Sequence, residues 1–460
     1  MKKNFYLTVW GTSLVLAPLW WFLGMNLFVY HLVAGLFFIS LIHESASRNR
    51  SLFISPSVRQ LLLLIAIYII SLGIHMGSGE KGRVLASCYN LSFWILGTLM
   101  VLAMSNAFRI RDIPWLRKHF LVMACQVVLF AGVMLFLVIR GTRSVIFTTP
   151  LYALSGLVGS AQESLFDCTV QLVILQIDWW TSWLVRMNYL APYPTQTGGT
   201  IVLIMMMLLM APAARTKSYA LLRGGLFVGC LGAVLMTLAR MSVTASLVSA
   251  FLSLALFQKK HSVLRAFALS LMLLILIPWI LHGLDWLLQF RKVSTEGRLS
   301  LYLYSLNMLE GVDWIIGLGL KPLADKAYNL PSGSHSTYLT LIFKTGILGL
   351  SVFLFFQISL WRRWLGLKSM ALRDPETKGL WRAFGAVLMA MSVWMLTDDL
   401  DAPQIVVFLF FSIVGIFEAF ARELAERERE AKSVDGGVEA SRVRTAGLSP
   451  IDACVKGVVK

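Results

Sequence analysis

The stretch SGSHSTYLTLIFKTGILGL, residues 332 to 350, places one histidine, His335, where a polar loop gives way to a long apolar run. An unperturbed histidine has a pKa of about 6.5, so at neutral pH it is mostly uncharged and can accept a proton from a hydroxyl group. Ser334 and Ser336 flank it, and a serine before an apolar run is typical of a helix N-cap. The free backbone N–H groups of a helix start favour an anionic group such as phosphate. The stretch therefore predicts a site for proton transfer and phosphate binding at the edge of an apolar segment.

The composition indicates an integral membrane protein. Of 460 residues, 57% are hydrophobic and only 14% are charged, whereas about a quarter of a soluble domain is charged. Apolar runs of about 17–25 residues, each long enough to cross a bilayer as a helix, recur along the whole chain. They predict an all-α fold with about twelve transmembrane helices, at about 5–25, 26–43, 59–76, 88–107, 119–139, 199–214, 219–239, 241–257, 265–284, 337–361, 381–397 and 403–421.

The distribution of positive charge predicts the orientation of these helices. With the N-terminus in the cytoplasm, the cytoplasmic connections and the C-terminal tail hold about 29 of the 41 lysines and arginines, against about 11 on the other side. Such an excess is typical of the cytoplasmic side of membrane proteins. We therefore expect both termini in the cytoplasm. The net charge of +17 then follows from topology and requires no nucleic-acid partner.

Two connections are much longer than the others, and both are expected on the extracytoplasmic side. They cover about residues 140–198 and 285–336. The first loop contains two apolar segments, 145–160 and CTVQLVILQIDWWTSWLV, which predict interfacial or re-entrant helices. An additional pair of spans is the alternative, and it leaves the orientation of the remaining helices unchanged. Loops of this length in a compact protein are usually functional or disordered, and their tryptophans and apolar runs favour a functional role.

The second loop has a helical pattern followed by a glycine-rich turn. The leucines between Gly297 and Leu309 have helical spacing, which places Arg298 in the first turn of a helix. The sequence IIGLGLKP then predicts a turn broken by glycines. After residue 421 the tail ARELAERERE has helical charge spacing, and the rest of residues 422–460 is expected to be largely disordered in the cytoplasm.

Four short motifs occur in order along residues 185 to 420. RMNYLAPYPTQTGGT begins at Arg186, TLARMSVTASLVSAF contains Arg240, a Gly-Arg pair ends in Arg298 ahead of GLGL, and His335 precedes KTGILGL. Together they resemble the signature region of the O-antigen ligase and polymerase superfamily, which are multi-helix glycosyltransferases of the bacterial inner membrane. The chain departs from the family pattern at Ser336, where asparagine is usual, and at Tyr302, where tryptophan is expected.

The resemblance implies a GT-C-like membrane domain over residues 1–421 that acts at the periplasmic face on a glycan carried by undecaprenyl diphosphate. It implies His335 as the general base, or as the group that orients the acceptor. It also implies that Arg186, Arg240 and Arg298 bind the diphosphate of the donor. Guanidinium groups suit this role because they bind phosphate oxygens in pairs, and base assistance is typically worth about 10²–10⁴-fold in rate. No metal ion or other cofactor is expected.

Other residues that could do chemistry have a plainer explanation. Lys321 and Lys326 are expected to be loop charges. Lys344 lies within a predicted span, where a lysine is a functional candidate, although its side chain could also extend to the membrane surface. TDDLDAP, residues 397–403, resembles an acidic triplet that binds a metal and a nucleotide sugar, but we expect an acidic turn on the outer side. GSGEKGR, residues 77–83, is wrongly spaced for a phosphate-binding P-loop.

Three functions are compatible with this sequence. We expect an O-antigen ligase, whose acceptor is lipid A-core. A polymerase of the same superfamily, which adds repeat units of O-antigen or exopolysaccharide, is the nearest alternative. A secondary transporter or flippase is a third alternative, but it should have ionisable residues or broken helices near the middle of the membrane, and inverted repeats. The predicted spans are nearly free of charge, which favours the transferase.

Overall fold

The computed structural model describes residues 5–49, 51–77, 81–157, 171–178, 183–210, 216–256, 292–321, 335–401 and 404–446. These stretches contain fifteen α-helices and three short strands. The helices are α1 (Phe5–Val15), α2 (Ala17–Phe22), α3 (Val29–Arg48), α4 (Pro56–His75), α5 (Lys81–Ala107), α6 (Ile113–Ile139), α7 (Pro194–Met207), α8 (Lys217–Met236), α9 (Arg240–Leu256), α10 (Lys292–Asn307), α11 (Asp313–Ile316), α12 (Thr337–Gly366), α13 (Lys368–Ala371), α14 (Pro375–Trp394) and α15 (Gln404–Ala446).

The protein is an all-α membrane protein, as its composition predicts. Within the described residues, seven helices are long and apolar enough to cross a membrane, and each coincides with a predicted span. They are Val29–Ser47, Pro56–His75, Lys81–Ala107, Ile110–Ile139, Lys217–Met236, Thr337–Gly366 and Ile405–Ala431. Four further predicted spans correspond to α1 with α2, α7, α9 and α14, which are shorter or less apolar. The predicted span at 265–284 lies outside the described residues.

The first predicted span is two helices. Pro18 lies in the first turn of α2, where its missing N–H costs nothing, but the same ring prevents α1 from continuing past Val15. The chain then turns through Gly24, whose φ of 78° is in the left-handed region. Residues 5–25 therefore form a bent element instead of one continuous helix.

Helix α15 is the centre of the bundle. Its apolar window is 89% buried, whereas the windows of the other six candidate spans are at most 50% buried. It packs most extensively against α5. Its sequence VVFLFFSIVGIF is apolar on all sides, which suits contact with either lipid or protein, and the burial of its window shows that protein surrounds it. The outer helices expose large apolar side chains, such as Leu129 and Leu221, on the surface that faces lipid.

Both long loops lie at the same end of the bundle. Asn26, before α3, donates a side-chain hydrogen bond of 3.0 Å to the carbonyl oxygen of Leu190 in the first loop. Ser71, near the end of α4, donates one of 3.0 Å to the carbonyl oxygen of Gly317 in the second loop. Because α3 and α4 are consecutive spans, the start of α3 and the end of α4 lie on one side. We call this side the loop end.

The first long loop contains a small antiparallel sheet. Its strands are β1 (Val145–Thr148), β2 (Gln171–Ile177) and β3 (Val185–Met187), in the order β1-β2-β3. We expected interfacial or re-entrant helices in the segments 145–160 and 168–185, but β1 lies in the first segment, β2 lies in the second, and β3 begins at Val185. The run QLVILQI pairs on both edges and buries Leu172, Ile174 and Leu175. A short apolar run of this kind suits a central strand as well as a helix, so periodicity alone could not decide.

Helix α12 is broken near its start. Gly346 has φ 64° and ψ −168°, which is not helical. The carbonyl groups before the break accept hydrogen bonds from the GLGL sequence of the second loop. The N–H of Leu318 donates to Phe343 at 2.8 Å, and that of Gly319 donates to Lys344 at 3.0 Å. Backbone groups freed in a membrane helix must find such partners, because the bilayer supplies none.

The absence of side chains on two glycines permits this insertion. A Cβ atom on Gly317 would lie 2.3 Å from the carbonyl carbon of Lys344. A Cβ atom on Gly346 would lie 2.1 Å from the carbonyl oxygen of Ile315. Both distances are far below van der Waals contact. The loop and the membrane helix therefore meet backbone to backbone.

Candidate active site

His335 occupies the last residue before the cap of α12. Its φ of 71° is in the left-handed region, which residues other than glycine rarely adopt. Ser336 is the N-cap, and its hydroxyl accepts a hydrogen bond of 3.5 Å from the N–H of Leu339. The sequence prediction of a helix N-cap beside His335 is confirmed. The chain bends at His335, immediately before the membrane helix, and we call this bend the corner.

Helix α10 holds Arg298 next to this corner. The helix begins at Lys292, so Arg298 lies in its second turn, and the expectation that it lies in the first turn is wrong. Tyr302 lies one turn after Arg298, and its hydroxyl donates a hydrogen bond of 2.6 Å to the carbonyl oxygen of His335. Burial, and then the positive charge of Arg298, lower the pKa of His335 to about 4. The imidazole is therefore uncharged at neutral pH, and it is a weaker base than a free histidine. No hydrogen bond joins the ring to another of the described residues.

The turn between α14 and α15 packs directly against the start of α12. The hydroxyl of Thr337 donates to the carbonyl oxygen of Asp398 at 2.7 Å and accepts from the N–H of Leu400 at 2.9 Å. The same turn carries Asp399 and Asp401. We expected an acidic turn on the outer surface, but the side chain of Asp398 is 6% exposed and that of Asp401 is 2% exposed. The turn is thus part of the interior of the loop end.

Asp399 clamps the N-terminus of α12. Its carboxylate accepts hydrogen bonds from the ammonium of Lys321 at 2.8 Å, the hydroxyl of Thr340 at 2.6 Å and the N–H of Ser336 at 3.0 Å. Burial raises the pKa of Asp399, but the charge of Lys321 and these hydrogen bonds outweigh burial and lower it to about 2. Asp399 is therefore ionised, and Lys321, which we expected to be a loop charge, is its counter-ion.

Asp398 has the opposite electrostatic environment. Burial raises its pKa to about 7, although the charge of Arg298 and hydrogen bonds from the hydroxyls of Thr195 and Thr397 lower it. A carboxyl group with such a pKa can gain or lose a proton at neutral pH. Adjacent aspartates with pKa values near 7 and 2 are typical of functional sites.

Arg186 and Arg240 both lie at the junction between α8 and α9. Arg186, on β3, donates from Nε to the carbonyl oxygen of Thr237 at 3.0 Å, and its Nη1 lies 3.4 Å from a carboxylate oxygen of the buried Asp178. Thr237 caps the end of α8, and Arg240 is the first residue of α9. Leu238, between them, has a left-handed φ of 52°. Arg186 thus has protein partners that fix its guanidinium at the start of α9.

Thr195 connects this junction to the acidic turn. Its carbonyl oxygen accepts from the indole N–H of Trp394 at 3.2 Å and from the hydroxyl of Ser242, on α9, at 3.5 Å. Its hydroxyl donates to the carboxyl group of Asp398. The close approach of α7 and α9 requires a glycine, because a Cβ atom on Gly198 would lie 2.4 Å from the hydroxyl oxygen of Ser242.

The four residues singled out from the sequence therefore lie at the loop end in two groups. His335 and Arg298 form one group, and Arg186 and Arg240 form the other. Thr195 and Asp398 lie between the groups, since Thr195 bonds both Ser242 of α9 and the carboxyl group of Asp398, which in turn feels the charge of Arg298. Lys326 lies outside the described residues. The sequence argument missed the functional potential of Asp398 and Asp399; its signal was their position between two predicted spans on the same side as His335.

Lys344 is buried and paired. Its ammonium lies 2.6 Å from Oδ2 of Asp401, and the two side chains are 0% and 1% exposed. The ammonium also lies 5.4 Å from the ring centre of Tyr68, and the indole N–H of Trp94 donates to the same carboxylate oxygen at 3.4 Å. Lys344 therefore does not extend to the membrane surface, and the predicted spans are less free of charge than their composition indicated.

The arrangement of carboxylates at the loop end does not indicate a metal site. Within the described residues, no group of three or more His, Cys, Asp and Glu side chains could hold a metal ion. Asp399 and Asp401 each face a lysine ammonium. The charges present suit an anionic ligand near Arg298, with uncharged His335 beside it.

Comparison with known protein families gives a match over part of the chain. A protein-family model described as O-Antigen ligase matches residues 225–354. The match contains Arg240, Arg298 and His335, whereas Arg186 and the turn with Asp398 lie outside it. No curated protein matches the chain. The matched segment begins in α8, crosses the α8–α9 junction and ends beyond the break in α12, and over these residues the chain is similar to the O-antigen ligase family.

Proposed function

We propose that the protein is an O-antigen ligase of the inner membrane. It transfers a polysaccharide from undecaprenyl diphosphate to lipid A-core at the periplasmic face. The observation that carries the proposal is that the charge of Arg298 acts on both His335 and Asp398 at one end of the bundle, in a chain whose residues 225–354 match the O-Antigen ligase model. This arrangement places a cation for the donor diphosphate near two groups that can accept a proton.

The transfer needs one nucleophile, one leaving group and one base. The acceptor hydroxyl oxygen attacks the anomeric carbon of the donor glycan, and the bond between that carbon and the phosphate oxygen breaks. Undecaprenyl diphosphate leaves with the electron pair of that bond. The hydroxyl proton passes to the base. The reaction is driven by the diphosphate leaving group and therefore needs no nucleoside triphosphate.

Arg298 is proposed to bind the donor diphosphate beside His335. A guanidinium group forms paired hydrogen bonds with phosphate oxygens, and it stabilises the charge that develops on the leaving group. Arg240, the first residue of α9, is proposed as a second ligand of the donor diphosphate. Arg186 is proposed as a third ligand, although its bonds to Thr237 and Asp178 leave fewer of its N–H groups for the donor.

His335 is proposed as the general base. Its pKa of about 4 keeps the ring uncharged, so that it can accept the hydrogen bond of an acceptor hydroxyl at neutral pH. Asp398, with a pKa of about 7, is the competing candidate because a base is most effective when its pKa is close to the working pH. The two candidates predict different pH profiles, as developed in the Discussion.

The loop end is proposed to face the periplasm. The opposite end of the bundle carries basic residues such as Arg363 and Arg373, which agrees with the excess of positive charge expected on the cytoplasmic side. Both termini are then cytoplasmic. Residues 1–421 are proposed as the transferase domain and residues 422–460 as a cytoplasmic tail. Helix α15 includes residues 422–446 of that tail. Charge spacing predicted the helix up to residue 430, whereas for residues 431–446 we expected disorder; the remainder lies outside the described residues.

A transporter shares two features with this structure, a broken helix and an ionisable pair within a span. In a transporter such groups are open to the substrate. Here Leu318 and Gly319 satisfy the carbonyl groups at the break, and Asp401 pairs with Lys344. The break is thus closed by protein, which favours the transferase.

The proposal is tested in a deletion strain by gel analysis of lipopolysaccharide together with analysis of the carrier lipid. A ligase leaves long polysaccharide on undecaprenyl diphosphate and lipid A-core without O-antigen. Single repeat units on the carrier would instead indicate a polymerase. Unchanged lipopolysaccharide and unchanged carrier lipids, with the wild-type gene in trans as the control, would refute both.

A further inference from the structure

The buried pair of Lys344 and Asp401 has no part in the proposed chemistry. Both side chains lie within the bundle, and neither contacts Arg298 or His335 in the described structure. An ionisable pair inside a membrane span is costly to maintain and usually has a function. The location of the pair indicates a role in the site, since Lys344 is on the helix that follows His335 and Asp401 is in the turn that contains Asp398.

Lys344 belongs to the short first segment of α12, between the corner at His335 and the break at Gly346. Its own carbonyl group accepts from the N–H of Gly319 at 3.0 Å and from the hydroxyl of Ser71 at 2.8 Å. The backbone of Lys344 thus binds the second loop and α4, while its side chain points to the acidic turn. One residue therefore contacts three elements of the loop end.

Asp401 ends the turn that carries Asp398 and Asp399. Its Oδ2 accepts from Lys344 at 2.6 Å and from Trp94 at 3.4 Å, whereas its Oδ1 has no hydrogen-bond partner among the described residues. The short bond to Lys344 is thus the main support of this carboxylate. Without it, the end of the turn would carry a buried charge held only by a long bond to an indole.

We propose that Lys344 and Asp401 are positioning residues of the transferase: their ion pair fixes the turn Thr397–Asp401 against the first segment of α12, so that Asp398 stays within reach of Arg298 and His335. This inference rests on the proposed function. An apolar pair of similar size would bury the same surface, but apolar contacts have no preferred direction. The short hydrogen bond of an ion pair is directional and therefore holds the turn in one position relative to α12.

The test compares this pair with a second ion pair at the opposite end of the bundle. Arg363 donates a hydrogen bond to Glu418, whose side chain is 2% exposed. The variants are Lys344→Met, the double variant Lys344→Met with Asp401→Leu, and Arg363→Met as the matched control. Each is purified in detergent, and its melting temperature, hydrogen exchange and transfer kinetics are measured. The double variant leaves no buried unpaired charge and keeps the test valid if Lys344→Met fails to fold.

Hydrogen exchange reports the position of the turn without any need for activity. Peptides that cover Thr397–Asp401 are expected to exchange faster in both variants of the pair and at the wild-type rate in Arg363→Met. The kcat for transfer is expected to fall by about tenfold or more, since a displacement of about 1 Å can cost 10²-fold in rate. The KM for the donor is expected to stay within about threefold, because Arg298 is untouched.

The outcomes separate this inference from the proposed function. Wild-type exchange in the turn and wild-type kcat in the double variant would overturn the positioning role and leave the transferase intact. Faster exchange in the turn of a protein whose wild type transfers no glycan would keep the structural role of the pair and refute the proposed function. Equal losses of kcat in Arg363→Met and in the pair variants would reduce the effect to general stability, and would also overturn the inference.

Discussion

The hydroxyl of Tyr302 donates a hydrogen bond of 2.6 Å to the carbonyl oxygen of His335, 33 residues further along the chain. This bond joins the helix of the second loop to the corner before α12. Burial raises the pKa of Tyr302 to about 12, so the hydroxyl keeps its proton and remains a donor at every physiological pH. Because Arg298 lies one turn earlier on the same helix, the bond also determines where the guanidinium stands relative to the imidazole.

Removal of this hydroxyl should therefore weaken transfer more than it weakens the fold. The variant Tyr302→Phe loses one hydrogen bond, worth about 1 kcal/mol, and keeps the ring in place. We expect a small decrease in melting temperature and a clear decrease in kcat. Tyr302→Trp, which restores an N–H donor, should recover part of the rate. Full activity in Tyr302→Phe would show that the bond does not position the site.

Replacement of His335 should abolish transfer without loss of the protein from the membrane. His335→Ala removes the proposed base, and a loss of about 10²–10⁴-fold in kcat is expected. His335→Asn is the informative partner, because asparagine tolerates a left-handed φ but cannot act as a base. Both variants should be equally inactive in a membrane assay of glycan transfer. An active His335→Asn variant would assign the histidine a conformational role only.

Loss of a guanidinium should weaken binding of the donor. We expect Arg298→Ala and Arg240→Ala to raise the Kd for an undecaprenyl-diphosphate donor, and lysine at either position to restore it poorly because an ammonium cannot form paired bonds. Arg186→Ala should also destabilise the protein, since it removes the ion pair with the buried carboxylate of Asp178. Titration of a fluorescent donor and thermal unfolding separate the two effects. Wild-type donor affinity in Arg298→Ala and Arg240→Ala would refute the diphosphate site.

The pH dependence of kcat/KM should identify the base. A base acts only when unprotonated, so the rate falls as the pH drops through its pKa. With His335 as the base, we expect kcat/KM to hold its value at neutral and mildly acidic pH and to fall as the pH approaches about 4. A fall centred near pH 7, absent in Asp398→Asn, would assign the role to Asp398. Thermal unfolding at each pH is the control for loss of folded protein.

The break in α12 should require glycine at position 346, because any side chain there would clash. Gly346→Ala places a Cβ atom against the carbonyl oxygen of Ile315 in a backbone conformation that only glycine adopts readily. Such strain costs about 1–3 kcal/mol before the clash is counted. We expect a large decrease in melting temperature. Gly366→Ala, at the end of the same helix, meets nothing within 4 Å and should leave the melting temperature nearly unchanged. Equal stability of both variants would contradict the described insertion.

Local patterns were sufficient to predict the helices that carry the site. The spacing of leucines predicted the helix with Arg298, and serine before an apolar run predicted the cap at Ser336. Both signals are confined to one turn or one face of a helix. The sequence could therefore locate His335 at the start of α12 before any tertiary contact was known.

Contacts between segments far apart in the chain could not be predicted from local sequence patterns. The segment GLGL predicted a turn, but nothing local indicates that Leu318 donates into a helix break 25 residues away. The same holds for the aspartates of TDDLDAP, since an acidic turn is solvated by default and is buried here only because Lys321, Thr340 and Lys344 supply partners. In the sheet, an apolar run without helical or alternating periodicity gave no basis for choosing strand over helix.

The insertion of the second loop into α12 makes the bilayer part of the catalytic geometry. The first segment of α12, from Thr337 to the break at Gly346, is about 14 Å long. The loop thus reaches well below the corner at His335 and moves with any tilt of that helix. A thinner or thicker membrane changes the tilt of a helix. A change in the tilt of α12 would here shift the positions of Arg298 and His335. The turnover rate should therefore differ between nanodiscs made of short-chain lipids and nanodiscs made of long-chain lipids. The acyl-chain length of the lipids is thus a variable to control in any reconstitution of the protein.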